Sequence, residues 1–185
     1  MPHIAVQDDI PGIRALLAFR PETAGPLGAL ANVLLHAPNS LTPGERELIA
    51  AYVSHLNNCT FCWRSHAAIA ACHLDSEALV DAAVANPEGA ALTLKMKALL
   101  ALAARVQQSG RTVTPADIAR ARDEGATDVE IHDTVLIAAL FCLYNKYVDG
   151  LATALPDDPA YFQLLGERIA VGYGRRPEGY DKPLA

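Results

Sequence analysis

The chain has 185 residues, of which 51% are hydrophobic and 6% aromatic, and its formal net charge is −6. That is enough apolar material to bury one compact domain, and it excludes a disordered chain. A negative balance with scattered basic residues argues against nucleic acid as the main partner. No apolar run approaches the ~20 residues that cross a bilayer, and the start lacks a charged-then-apolar signal pattern, so we expect a soluble protein of the cytoplasm with no membrane partner.

The predicted elements are all helical. Alanine and leucine dominate, β-branched runs are few, and no segment alternates as a strand would. A first helix reads from Pro21 to about His36. Thr42-Pro43-Gly44-Glu45 supplies an N-cap, a proline at the first helical position and a capping-box glutamate, opening a helix to about Leu56. Asn57-Asn58 interrupts it, and a further helix runs from near Cys59 to about Cys72. Asn86-Pro87 opens a long helix that ends before Gly110. Thr114-Pro115 opens a short one stopped by Gly125, and the Thr127-x-x-Glu130 box leads a helix through roughly Thr153. The whole reads as a single domain over 1–185 with its core at about 10–165. The tail from about Val171, with Arg175-Arg176-Pro177, fits either a strap on a neighbouring subunit or a loose end.

Shifting the chain by 83 residues brings Glu47, Cys59, Cys62 and His66 onto Glu130, Cys142, Asn145 and Asp149. The polar anchors persist and the dithiol does not. This is the pattern of a degenerate internal duplication whose second copy became scaffold, although alanine-rich helices also resemble one another by chance.

The segment that carries chemistry is Glu47-x11-Cys59-Thr60-Phe61-Cys62-x3-His66. Cys62 and His66 are i and i+4 and share a helix face; Cys59 and Cys62 are i and i+3 in the first turn. Unpaired N–H groups and the helix dipole at that end favour thiolate, the species that attacks. Glu47 lies on the preceding helix, and the intervening bend allows it to fold back toward the thiols. Blander readings stand beside this one. The C-x-x-C spacing also suits zinc, with His55, Cys59, Cys62, His66 and His73 as available ligands. Glu47 beside Arg46 fits a solvated charge, and Phe61 and Trp63 read first as packing residues. Cys72 and Cys142, among alanines and leucines, read as buried, inert thiols.

The stretch LTPGERELIAAYVSHLNNCTFCWRSHAA, Leu41 to Ala68, resembles the core of the alkylhydroperoxidase D / carboxymuconolactone decarboxylase superfamily. The superfamily pattern of a glutamate, a C-x-x-C and a histidine four residues later is met at Glu47, Cys59, Cys62 and His66. The run LLHAPNS after Pro21-Glu22, and FCLYNKYVDGL from Phe141 to Leu151, resemble its peroxidase-related subgroup. The resemblance implies an alkylhydroperoxidase D-like helical fold in dimers, trimers or hexamers. It also implies a peroxiredoxin-type antioxidant oxidoreductase with neither haem nor other cofactor. In that scheme Cys62 is the peroxidatic and Cys59 the resolving cysteine, while Glu47 and His66 draw the proton from Cys62. The partners would be a hydroperoxide and an external dithiol reductant. One position departs: the extra histidine that the best-studied members carry just before the second cysteine is Phe61 here. Either the relay is shorter, or His55 replaces it from one turn earlier, and disulfide reduction for a partner peroxidase stands beside peroxidase activity. The alternatives are a zinc- or thiol-based structural or sensing protein, and a decarboxylase-like lyase. True carboxymuconolactone decarboxylases lack the dithiol.

Overall fold

The computed structural model describes residues 1–7 and 9–171, so the tail singled out above lies outside the described residues. Among the described residues every regular element is helical. They are α1 (Ile13–Phe19), α2 (Pro21–His36), α3 (Pro43–Leu56), α4 (Thr60–Leu74), α5 (Glu77–Ala85), α6 (Leu94–Gln108), α7 (Pro115–Asp123), α8 (Asp128–Gly150) and α9 (Ala160–Ile169), with a short 3-10 turn at Gly110–Thr112. None of them is long and apolar enough to cross a membrane.

The capping chemistry works as the residues dictate. Thr42 with Glu45, Thr114 with Asp117, and Thr127 with Glu130 each form a reciprocal capping box at the start of α3, α7 and α8. The region after Cys72 departs from the sequence reading. Asp75 turns left-handed at φ 52, and Ser76 caps a separate helix, α5, by accepting from Leu79 N–H. Asn86 therefore ends a helix instead of opening one, and Pro87 behind it blocks continuation. The next helix starts at Leu94, where the Thr93 side chain accepts from Met96 N–H. Helices α1 and α9 carried no cap strong enough to be read and are additions by the structure.

The main core surrounds α3, whose residues Leu48 to Ala51 are fully buried against α2, α5, α6 and α8. A second apolar cluster joins Cys59, Phe61, Cys62 and Ile69 of α4 to Val148 of α8 and to Tyr161, Phe162, Leu165 and Ile169 of α9. Two glycines permit this second layer. Gly12 (φ 61) rests directly on the Phe61 ring, where a Cβ would overlap it, and at Gly166 a Cβ would stand 2.9 Å from the Ala68 carbonyl carbon. Together they let α1 and α9 press onto the first turns of α4.

The 83-residue echo falls on one uninterrupted helix, because the break at 57–59 has no counterpart within α8. Its polar anchors serve the packing. Glu130 caps α8 and pairs with Lys95 at 2.9 Å, and Asn145 donates to Ser54 Oγ at 3.0 Å.

Candidate active site

The site is built by the hairpin of α3 and α4. Asn57 ends α3, and Asn58 turns the chain with φ 58, a left-handed value that asparagine tolerates better than most residues. Cys59 N–H then donates to Ser54 O at 3.1 Å. Side chains hold this turn from below: Asn57 donates to Asn145 Oδ1 at 2.8 Å and accepts from Gln107 at 2.8 Å. With the turn fixed, α4 runs back along α3, and His66 in its second turn comes over Glu47.

Cys59 occupies the N-cap of α4, and Cys62 lies one turn inside. Both are free thiols, 0% and 4% exposed. The Cys59 thiol is pushed up, first by its hydrogen bond to Cys62, then by burial, with a bond to the Asp149 side chain adding to it.

Glu47 is fully buried, contrary to the solvated-charge reading, and each carboxyl oxygen meets a histidine. His66 Nδ1 stands 2.6 Å from Oε2, and His36 Nε2 stands 2.9 Å from Oε1. Burial works to raise this carboxyl. The His66 charge, the hydrogen bonds from His36 and His66, and the His36 charge together overcome it and bring the pKa to about 2. An ionised carboxylate only accepts, so both facing nitrogens must donate: Nδ1–H of His66 and Nε2–H of His36. That fixes the tautomer of a neutral His66 and leaves its Nε2 as the proton acceptor. The ring is also held edge-on against Phe141, with centroids 4.5 Å apart.

His36 reaches Glu47 because Arg46 ties the end of α2 to α3. Its guanidinium, 1% exposed, donates to Leu34 O at 3.0 Å and to Ala37 O at 2.9 Å, on either side of His36. These are the carbonyls a helix C-terminus leaves without partners.

Cys62 and His66 line a cavity of about 90 Å³ whose walls are largely apolar, including Leu17, Leu27, Phe141 and Leu165. Phe61 and Tyr144 also line it. Phe61 is thus both a packing residue, against Tyr161 and Phe162, and a wall of the cavity. Tyr144 donates to Leu27 O at 2.7 Å, and burial raises its phenol to about 12, so it stays protonated. A much larger groove, about 720 Å³ between α4, α5 and α9, holds none of these groups. We place the site in the smaller cavity because the sulfur and the imidazole line it.

Two expectations need correction. His55, offered as a replacement for the missing histidine, is exposed and stacks edge-on against Trp63, 5.7 Å between centroids. The second histidine that meets Glu47 is His36. Its sequence signal was its place at the end of a helix just before the glutamate-bearing one, which shows proximity but not facing. Cys72 is exposed rather than buried, on a strip of α4 that α5 and α9 leave uncovered, and Cys142 is half-buried beside Asn57. Among the described residues, no three His, Cys, Asp or Glu side chains come together so as to hold a metal ion.

An all-helical chain with a buried dithiol at a helix start, backed by a histidine–carboxylate pair, defines a class of helical dithiol proteins. Residues 21–87, the span holding all five site residues, match the carboxymuconolactone decarboxylase family. The fold is similar to that of an uncharacterised peroxidase-related protein with an alkylhydroperoxidase AhpD core from Ralstonia eutropha JMP134. The two are 29% identical over 85% of this chain and 81% of that one, with a TM-score of 0.76. It is also similar to an uncharacterised peroxidase-related protein from Silicibacter sp. TM1040, 26% identical over 80% of this chain and 78% of that one, with a TM-score of 0.74. A comparison with curated proteins finds no match. Over residues 21–87 the chain thus resembles the carboxymuconolactone decarboxylase family, and its fold is similar to that of peroxidase-related proteins with an alkylhydroperoxidase AhpD core.

Proposed function

We propose that the protein is a thiol-dependent peroxidase that reduces a small organic hydroperoxide through Cys62 and Cys59. The observation that carries this reading is the shared cavity: a cysteine sulfur and an imidazole, its tautomer set by a buried carboxylate, line one small apolar space. His66 takes the proton of Cys62. The thiolate attacks one peroxide oxygen, the O–O bond breaks, and the alcohol leaves with a proton, giving a sulfenic acid on Cys62. The Cys59 sulfur then attacks the Cys62 sulfur, releasing water and forming the Cys59–Cys62 disulfide. An external dithiol reduces it by exchange and is itself oxidised. The hydrogen bond between the two thiols supports the second step, since it holds Cys59 beside the sulfur it attacks. Such a cycle depends on a reducing compartment, which we take to be the cytoplasm.

The cavity favours a hydroperoxide over a protein disulfide as oxidant, because Cys62 is only 4% exposed and a protein substrate would have to open the fold to reach it. We also propose a homo-oligomer. Leu30 and Val33, one turn apart on α2, are 39% and 60% exposed and suit an interface between copies.

The test is mass spectrometry with thiol mapping before and after one equivalent of cumene hydroperoxide. A loss of about 2 Da located at Cys59–Cys62 is expected, with Cys59→Ser trapping sulfenic acid on Cys62 and Cys62→Ser consuming no peroxide. Thiols that stay reduced through the treatment would overturn the reading.

A further inference from the structure

We propose that His36 is a positioning residue of this site: by donating Nε2–H to one oxygen of Glu47, it commits the other oxygen to His66 and leaves His66, not Glu47, to receive the Cys62 proton. The proposal rests on the dithiol reading only for its catalytic consequence; the hydrogen-bond arrangement stands by itself.

A buried carboxylate with a single donor would leave an oxygen unsatisfied, at a cost of about 1–3 kcal/mol. It could relieve that cost by rotating, or by taking a proton itself. Here both oxygens are engaged at 2.9 and 2.6 Å, so the carboxylate plane is set from two sides. Glu47 then has no oxygen left to serve as a base toward Cys62, and its low pKa makes it a poor one. What remains to it is to orient His66 and to stabilise the imidazolium that forms.

The surroundings of His36 hold this arrangement in place. Arg46 pins the carbonyls of Leu34 and Ala37 and so fixes the end of α2. His73 of α4 meets His36 edge-on, with centroids 5.4 Å apart and an interplanar angle of 63°. Burial first, and the His36 and Arg46 charges with it, lower the His73 pKa against the opposing pull of Glu47, so His73 adds no positive charge behind His36. Among the described residues, the charged and titratable groups gathered around His36 include Glu47, His66, His73 and Arg46.

Losing the His36 donor should let the Glu47 carboxylate turn and loosen its hold on His66 Nδ1–H. The experiment is side-chain ¹⁵N NMR of wild-type protein, His36→Gln and His36→Leu, paired with the rate of hydroperoxide-driven disulfide formation. Wild-type protein should show His36 protonated at Nε2 and neutral His66 protonated at Nδ1. His36→Leu should mix the two His66 tautomers and slow oxidation by about tenfold. His36→Gln, which keeps an N–H donor in place, should keep the wild-type tautomer and rate. The opposite tautomer on His36 overturns the proposal and needs no variant, so failure of His36→Leu to fold does not shield it. An unchanged His66 tautomer in His36→Leu also overturns it. If hydroperoxide leaves the wild-type thiols reduced, the peroxidase reading falls while the tautomers still decide the role of His36.

Discussion

At the residue scale, Glu47 links chemistry to stability. Its folded pKa of about 2 lies below the ordinary value of 4.5. A depressed carboxyl stabilises the fold above its unfolded pKa, and that contribution is lost as pH falls through the folded one. The window here is about pH 4.5 to 2, and the stake is on the order of 3 kcal/mol. Urea unfolding of wild type and Glu47→Gln should therefore differ most near neutrality and converge as pH drops through this window; a gap independent of pH would contradict the ionised, doubly bonded carboxylate. Glu47 also marks the limit of reading residues singly. Beside Arg46 it looked as much like a solvated charge as a site residue. Both are buried, because Arg46 satisfies the end of α2 while Glu47 satisfies two histidines.

At the element scale, the hairpin of α3 and α4 depends on contacts from distant helices. Asn145 on α8 supports the 57–59 turn through Asn57 and Ser54. Asn145→Leu strips partners from both and should cost about 1–3 kcal/mol. It should also slow closure of the Cys59–Cys62 disulfide, measured by quenched-flow alkylation, because the turn that holds Cys59 loosens. The packing of α9 is a second dependence. Gly166→Ala places a methyl 2.9 Å from the Ala68 carbonyl carbon, and the backbone there does not yield as a flexible side chain would. The expected cost is roughly 1–3 kcal/mol, together with faster alkylation of native Cys59 and Cys62 by iodoacetamide as α9 lifts from their cluster.

At the scale of the whole molecule, two cores meet along α4, one centred on α3 and one that closes over the dithiol. The outer face of α2 carries Leu30 and Val33 into solvent, and this face suits the association proposed above. Native mass spectrometry should show an oligomer, and Val33→Glu should shift it toward monomer while the circular dichroism stays helical. A wild-type monomer at micromolar concentration would count against the interface.

Local chemistry determined much of this protein. Capping boxes at Thr42, Thr114 and Thr127 act over three residues, so the starts of α3, α7 and α8 were legible, and the C-x-x-C followed by a histidine placed Cys59, Cys62 and His66 on one helix. The division of 73–108 into two helices was less legible, because Ser76 is a weaker signal than the Asn-Pro pair that follows α5. What only the tertiary structure decided is which side chains face one another. His36 and His55 are both histidines near the glutamate in sequence, and helix periodicity alone does not say which turns inward. The clamp by Arg46 and the left-handed turn at Asn58 set that choice. The lid over the dithiol comes from α9, about a hundred residues downstream of Cys59–Cys62, where glycine lets the two backbones approach. Such contacts depend on the shape of the assembled chain, so no local pattern of residues encodes them.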